Sequence, residues 1–177
     1  LNPKFDFATS LDGLVDVIKN KDEEFIVNAL RLIEPNIKDF VLSKNEVLVD
    51  IGLDKRIPIN MMGDGARKIL SILTSIYECK NGIVLIDELS NGFHYSVMKG
   101  VWTSIVSVAK KNNVQIFATT HDLDSIKGLR DAAMSCEEYN NSIVCFKLHR
   151  TDNSELKSYQ YSLDSVDYSL NQEIEIR

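Results

Sequence analysis

Residues 83–88 read Ile83-Val84-Leu85-Ile86-Asp87-Glu88, which is four apolar side chains followed at once by two acids. An apolar run of this length predicts a short strand that is buried on both faces, as in the middle of a parallel sheet. The two carboxylates then stand at the carboxyl end of the strand, where open α/β sheets bind their ligands. A buried strand that simply ends in solvated acids is the alternative interpretation of the same residues.

The segments around this strand alternate between helix and strand patterns. Upstream, apolar residues at helical spacing predict a helix that follows the glycine-bearing turn 61–65 and ends at Asn81-Gly82. Downstream, the patterns predict a helix over 96–111, a second buried strand over 114–120 and a helix over 122–138. This order predicts an α/β fold with a mostly parallel sheet and crossover helices.

The two ends of the chain have patterns of their own. In chain order these are helices at 11–20 and 22–34, a strand at 46–52 with a short partner at 56–59, a β-hairpin at 143–150 and 156–162, and a short helix at 164–171. We therefore divide the chain into a helical and hairpin segment over 1–60, which has the character of a lid, and an α/β part with a C-terminal hairpin over 61–177.

Composition and charge exclude several classes of protein. The chain has 177 residues, 44% of them hydrophobic and 26% charged, which is typical of a globular domain rather than a disordered one. The net charge of −6 gives no general attraction to nucleic acid or anionic membranes. No apolar run approaches the length of a membrane helix. Cys79, Cys136 and Cys145 form no CxxC pair, so we expect neither a zinc site nor a disulfide framework, and we expect a cytoplasmic location.

Three further motifs accompany the two acids. His121 follows the second predicted strand, so it arrives at the same sheet edge as Asp87 and Glu88. Gly63-Asp64-Gly65 opens a helix, where backbone N–H groups favour an anion. Asn91-Gly92-Phe93-His94 comes just after the acids. Taken singly, each has an ordinary structural explanation: a structural histidine, a helix cap and an Asn-Gly turn.

The order and spacing of these motifs give them more weight than each has alone. Asp64 precedes Asp87 by 23 residues, and His121 follows Glu88 by 33. In this arrangement, over about 59–122, the chain resembles the C-terminal half of an ABC-type ATPase. It is most similar to the AAA-family branch of the OLD (overcoming lysogenization defect) and SMC/RecF-like type. The resemblance implies a P-loop NTPase fold, ATP and Mg²⁺ as cofactors, and ATP hydrolysis.

The resemblance also implies a role for each motif. Asp87-Glu88 matches the Walker B element, with Asp87 as the Mg²⁺ residue and Glu88 as the general base. His121 matches the switch histidine that senses the γ-phosphate. Leu89 and Ser90 stand where the family often has proline or an acid.

Two motifs match family elements that act between subunits. Gly63, Asp64 and Gly65 match the signature loop, which contacts the nucleotide held by a partner subunit, although the serine of the transporter signature is missing. The segment from Asn91 to His94 matches the D-loop, which lies across the dimer. The resemblance therefore implies a nucleotide-dependent homodimer, and it suggests DNA or a nuclease or toxin effector as a partner in genome maintenance or phage defence.

A phosphate-binding loop of the form G-x-x-x-x-G-K-[ST] does not occur in the sequence. In the family this loop lies well upstream of the signature helix. Since the chain also begins at Leu1 rather than at Met, we expect that a Walker A lobe precedes it in the intact protein, and that the isolated chain is inactive.

Two rival interpretations stay open. A Toprim-like Mg²⁺-dependent nuclease would use Glu88 with Asp122 and Asp124, since such sites combine carboxylates from two strand ends. A non-hydrolysing module would bind Mg-ATP through Asp87 and Glu88 and signal by dimerising.

Overall fold

The computed structural model describes residues 9–44, 46–135, 142–151 and 154–171. Within these ranges six α-helices and seven strands form. The helices are α1 (Thr9–Lys19), α2 (Glu24–Leu30), α3 (Asp64–Glu78), α4 (Met98–Lys111), α5 (Leu123–Met134) and α6 (Leu163–Asn171). The strands are β1 (Asp39–Ser43), β2 (Glu46–Asp50), β3 (Ile57–Pro58), β4 (Ile83–Ile86), β5 (Gln115–Ala118), β6 (Cys145–Arg150) and β7 (Leu156–Tyr161).

The strands form three small sheets. β1, β2 and β3 make an antiparallel sheet in that order, and β6 pairs with β7 as an antiparallel hairpin. β4 and β5 pair in parallel, with Ile86 beside Ala118. The crossover between them is α4, which packs on both α3 and α5. The predicted α/β class with a parallel sheet and crossover helices is confirmed.

One core joins the helices to one face of the parallel pair. Val84 and Ile86 of β4 belong to the same buried cluster as residues of α3 and α4. Residues from the first part of the chain, such as Leu14 and Ile26, lie in this cluster too, because α1 and α2 pack against α3. The proposed division at residue 60 stays a prediction.

The other face of the parallel pair contradicts the prediction of strands buried on both sides. Leu85 is 76% exposed, Ile83 59% and Phe117 53%. Parallel sheets usually have layers on both faces, but among the described residues the helices cover one face only. The apolar run therefore predicted the strand correctly and its surroundings wrongly.

Other boundaries of helices and strands differ from the predicted ones. The helix predicted over 22–34 ends at Leu30, and turns lead from there to Pro35. β1 was not predicted; it pairs with β2 along its whole length. The helix predicted over 96–111 begins at Met98, because a 3₁₀ turn, Tyr95–Val97, precedes it. The helix predicted over 122–138 begins at Leu123 and is described as far as Met134. Residues 136–138 of that prediction, including Cys136, and residues 152–153 of the hairpin turn lie outside the described ranges.

None of the helices in the described part of the chain is both long enough and apolar enough to cross a membrane. The cytoplasmic location stays a prediction.

Candidate nucleotide site at the ends of the parallel strands

The parallel pairing of β4 and β5 brings the two acids and the histidine to one edge. His121 Nδ1 lies 2.6 Å from Glu88 Oε2, and this oxygen is shielded from solvent. The two atoms are at ion-pair distance without the alignment of a hydrogen bond, since Glu88 Oε2 has no hydrogen-bond partner in the described part of the chain. The imidazole as a whole stays 74% exposed.

Asp87 lies on the other side of the same strand end, on the open face of the sheet. Its carboxylate Oδ1 accepts a hydrogen bond from Thr119 Oγ1 at 2.5 Å. The same hydroxyl oxygen accepts the backbone N–H of Glu88 at 3.0 Å. Thr119 therefore holds both acids at once. The sequence analysis did not select it, although a hydroxyl residue two positions before His121 was a visible signal.

Backbone contacts join residues 87–90, which we call the acid turn, to the end of β5. The N–H of Leu89 donates to the carbonyl oxygen of Thr119 at 3.0 Å, and the hydroxyl groups of Ser90 and Thr120 are 3.1 Å apart. Leu89 is fully buried, so it anchors the turn in the core. Glu88 itself has a φ of +50°, in the left-handed region that is unfavourable for residues with a side chain.

The glycine turn packs on the Asn-Gly turn of its own chain. Gly63 has a φ of +85° and precedes the first residue of α3. A Cβ atom at Gly65 would lie 2.9 Å from the carbonyl oxygen of Gly92, so only glycine permits this approach. Asp64 stays exposed and pairs with Arg67. The predicted contact of this turn with a nucleotide held by a second subunit stays a prediction.

Asn91 and His94 are exposed on the surface beside the glycine turn. His94 caps the 3₁₀ turn, since its Nδ1 accepts the backbone N–H of Ser96 at 3.4 Å, and the same nitrogen lies 2.9 Å from Ser96 Oγ. Its ring contacts that of Tyr95, with the centroids 4.3 Å apart. Both predicted D-loop residues are therefore free of the core and face outward, and their role across a dimer stays a prediction.

Lys68 is a further residue at this site that the sequence analysis did not select. Its ammonium donates to the carbonyl oxygens of Glu88 and Asn91. Partial burial lowers the pKa of the Lys68 ammonium from its ordinary value, and the negative charges of Glu88 and Asp87 oppose that shift. The acid turn is thus electrostatically linked to the helix that follows the glycine turn.

The carboxylates suit a magnesium ion that is shared with a nucleotide. Mg²⁺ typically binds one or two protein carboxylates together with water and phosphate oxygens. Asp87 and Glu88 offer such oxygen ligands on a surface that remains accessible. In the described part of the chain, no three His, Cys, Asp or Glu side chains come together as a protein-only metal site.

The carboxylates of the nuclease interpretation are engaged elsewhere. Asp122 accepts the backbone N–H of Asp124 at 3.0 Å and so caps α5. Asp124 lies 3.8 Å from the ammonium of Lys127. The partner of Glu88 is His121 instead. In the described part of the chain Glu88, Asp122 and Asp124 do not come together as a three-residue metal site.

Comparison with known proteins gives the family of the chain. The sequence matches the family described as AAA ATPase domain over residues 6–125, which is most of the chain. The chain belongs to this family. It is therefore an AAA ATPase domain, and ATP hydrolysis is the general activity that its family supports.

Two known proteins are similar in sequence to this AAA ATPase domain. An ATP/GTP phosphatase of Helicobacter pylori (strain ATCC 700392 / 26695) is 26% identical over 159 residues, which cover 87% of the chain and 43% of the relative. The uncharacterized protein MJECL11 of Methanocaldococcus jannaschii is 35% identical over 107 residues, which cover 59% of the chain and 89% of the relative. The chain thus spans less than half the length of the Helicobacter protein.

The fold also matches a solved chain from structural work on ATP-driven dimerization and DNA-stimulated activation of SMC ATPases. The TM-score is 0.57 at 12% sequence identity, with 93% of this chain and 99% of the solved chain covered. This likeness shows the P-loop NTPase fold of SMC ATPases.

Proposed function

We propose that this AAA ATPase domain supplies the acid-bearing half of a Mg-ATP hydrolysis site. In this proposal Glu88 is the general base, Asp87 is the magnesium ligand and His121 is the switch histidine. The observation that carries the proposal is the 2.6 Å contact between Glu88 Oε2 and His121 Nδ1 at the ends of paired parallel strands. Residues 33 positions apart meet there, at the edge where open α/β sheets bind ligands.

The proposal gives each residue a task in the reaction. Glu88 accepts the proton of the attacking water, which requires a carboxylate held in a fixed direction. His121 lies beside that carboxylate through Nδ1, and a proton on Nε2 would be donated to a phosphate oxygen. Asp87, oriented by the Thr119 hydroxyl, would hold Mg²⁺, which when bound neutralises charge on the phosphates.

The phosphate-binding loop would come from outside these 177 residues. No G-x-x-x-x-G-K-[ST] motif is present in the chain. The phosphate groups of ATP therefore need another source of backbone N–H donors and lysine. The open face of β4 and β5 ends at Asp87, so a lobe that covered Leu85 and Phe117 would arrive beside the acids. We therefore infer that a Walker A lobe completes the site and that the chain alone turns over little ATP.

A second copy of the protein is the partner that this proposal requires. One exposed surface lies beside the acid turn, because Gly65 packs on Gly92. It is formed by Gly63, Asp64, Asn91 and His94. In a nucleotide-dependent homodimer this surface would meet the ATP of the facing subunit. DNA, or a nuclease or toxin effector in genome maintenance or phage defence, stays a prediction from the resemblance.

The decisive variant is Glu88→Gln in the full-length protein that contains this chain. We expect phosphate release to fall about 10²–10⁴-fold, the usual contribution of a positioned base, while Mg-ATP binding persists and the dimer accumulates. Steady-state phosphate release, calorimetry with Mg-ATP and light scattering measure the three quantities. Glu155→Gln, an exposed acid of the C-terminal hairpin, is the control.

The outcomes separate the remaining interpretations. Normal hydrolysis by Glu88→Gln would show that Glu88 is not the base. Tight binding of Mg-ATP without phosphate release by the unaltered protein would instead support an ATP-sensing module that does not hydrolyse its ligand. Metal-dependent cleavage of DNA by the chain alone would restore the nuclease interpretation.

A further inference from the structure

Lys68 connects the helix that follows the glycine turn to the acid turn. Its Nζ lies 2.7 Å from the carbonyl oxygen of Glu88 and 2.9 Å from that of Asn91. The same ammonium lies 5.7 Å from the centre of the Phe93 ring, within the range of a cation–π contact. One side chain of α3 therefore contacts three residues of the turn that carries the candidate base.

The turn that Lys68 contacts has a conformation that must be stabilised. The φ of +50° at Glu88 is unfavourable for a residue with a Cβ atom. Thr119 fixes the amide side of Glu88, because its hydroxyl oxygen accepts that N–H. The carbonyl side is fixed by Lys68 and by the N–H of Asn91, which donates to the Glu88 carbonyl oxygen at 3.2 Å.

The positive charge of Lys68 also contributes to this contact. A partly buried ammonium loses hydration, and it is tolerated only where hydrogen bonds and negative charge replace the water. Here two carbonyl oxygens accept from it, and Glu88 and Asp87 attract it. The positive charge also lies on the backbone side of Glu88, so it leaves the Glu88 carboxylate to His121.

The same helix start makes a second rigid contact with the turn. Gly65, three residues before Lys68, approaches the carbonyl oxygen of Gly92 so closely that a Cβ atom would clash with it. The first turn of α3 and residues 88–93 are thus held together at two points.

We propose that Lys68 is a positioning residue that sets the direction of the Glu88 carboxylate and transmits the state of the Gly63–Gly65 turn to it. This proposal deepens the proposed function and rests on Glu88 being the base. In the dimer that we propose, a nucleotide bound against the glycine turn of one subunit would act through Lys68 on the base of that same subunit.

The test compares Lys68→Met, which keeps the length of the side chain and removes its N–H donors and charge, with Lys68→Arg, which keeps both. In the full-length protein we expect Lys68→Met to lower kcat about 10–100-fold with KM for ATP changed less than threefold, because misplacing a reacting group by about 1 Å has effects of this size. Lys68→Arg should recover most of kcat. Lys80→Met, at an exposed lysine after the same helix, is the matched control.

A second readout does not depend on hydrolysis. In the 177-residue chain, amide hydrogen exchange followed by NMR should accelerate at Asn91 in Lys68→Met and stay unchanged in the core of α3 and α4. If Lys68→Met does not fold, Lys68→Gln, which keeps a shorter donor without the charge, replaces it in both measurements. A wild-type kcat in the uncharged variant, or equal losses in it and in Lys68→Arg, would overturn the proposal.

The two readouts also separate this proposal from the proposed function. Faster exchange at Asn91 together with normal hydrolysis by Glu88→Gln would leave Lys68 as an anchor of the turn and reject Glu88 as the base. Unchanged exchange at Asn91 together with a slow Glu88→Gln would reject Lys68 as the positioning residue and keep Glu88.

Discussion

The two faces of the β4–β5 sheet contrast sharply, although they belong to the same eight residues. On one face Val84 and Ile86 are buried in the core shared with α3 and α4. On the other face Leu85 and Phe117 are exposed, and Asp87 and Thr119 continue the same row toward the strand ends. The covered face stabilises the domain, whereas the open face leads to the carboxylate that we propose as the magnesium ligand.

The two faces of the sheet therefore have different roles in the domain. The buried side chains fix the positions of the strand ends without touching a ligand. The open side keeps Asp87 accessible and offers an apolar surface that a completing lobe would cover. Substitutions on the two faces should therefore change different properties: the free energy of unfolding on the covered face, and hydrolysis on the open face.

The largest expected effect is on the free energy of unfolding. It is measured by comparing Ile86 with Leu85, two neighbours whose side chains point to opposite faces of the sheet. Ile86→Ala removes buried methyl groups and should lower the free energy of unfolding of the chain by about 2–5 kcal/mol. Leu85→Ala should change it by less than about 0.5 kcal/mol, because Leu85 is 76% exposed. Urea unfolding followed by circular dichroism measures both. Equal losses would mean that the open face is covered within the chain itself.

Thr119→Val tests the open face at the site. The substitution keeps the shape of the side chain and removes the hydroxyl that holds Asp87 and the amide of Glu88. We expect the Mg²⁺ concentration needed for half-maximal hydrolysis by the full-length protein to rise about 10–100-fold, as for other groups that orient a metal ligand. Thr103→Val, whose hydroxyl only donates to a carbonyl oxygen of its own helix, is the control. An unchanged Mg²⁺ requirement would contradict the role of Asp87.

Glu78→Gln tests a charge at the far end of α3, where the exposed Glu78 side chain lies beside Gly13 of α1. Burial, and then the negative charges of Asp12 and Asp16, raise the pKa of Glu78 above its ordinary value of 4.5, while a backbone hydrogen bond at Gly13 opposes the shift. A carboxyl with a raised pKa in the folded state stabilises the protein below about pH 4.5, and that stabilisation is lost as the pH rises through the folded pKa.

Glu78→Gln should therefore raise the free energy of unfolding at pH 7 by up to about 0.5 kcal/mol, the usual size of an interaction between partly exposed charges. The gain should disappear below pH 4, and hydrolysis should stay unchanged. Thermal unfolding at pH 4 and pH 7 measures the first two quantities. A gain that is equal at both pH values would exclude this electrostatic cause.

The sequence was sufficient for the order of elements from α3 to α5 and for the meeting of Glu88 with His121, because apolar runs and the parallel strand rule depend on local pattern alone. It was not sufficient for Leu85, since an apolar run looks the same whether a layer covers it or not. Thr119 and Lys68 were missed for another reason. The hydroxyl of Thr119 was visible two positions before His121, but its bond to Asp87 depends on reach across the sheet. The role of Lys68 depends on the reach of its side chain from α3, which no spacing along the chain expresses.

The central claim is that Glu88 and His121 act as one unit in ATP hydrolysis. A double-mutant cycle in the full-length protein tests it most directly, with single-turnover phosphate release measured for Glu88→Gln, His121→Ala and the double variant. If the two residues act together, the double variant should be no slower than the slower single variant within about threefold, because groups of one catalytic unit are strongly non-additive. Losses that multiply in full, or wild-type rates in both single variants, would contradict the account.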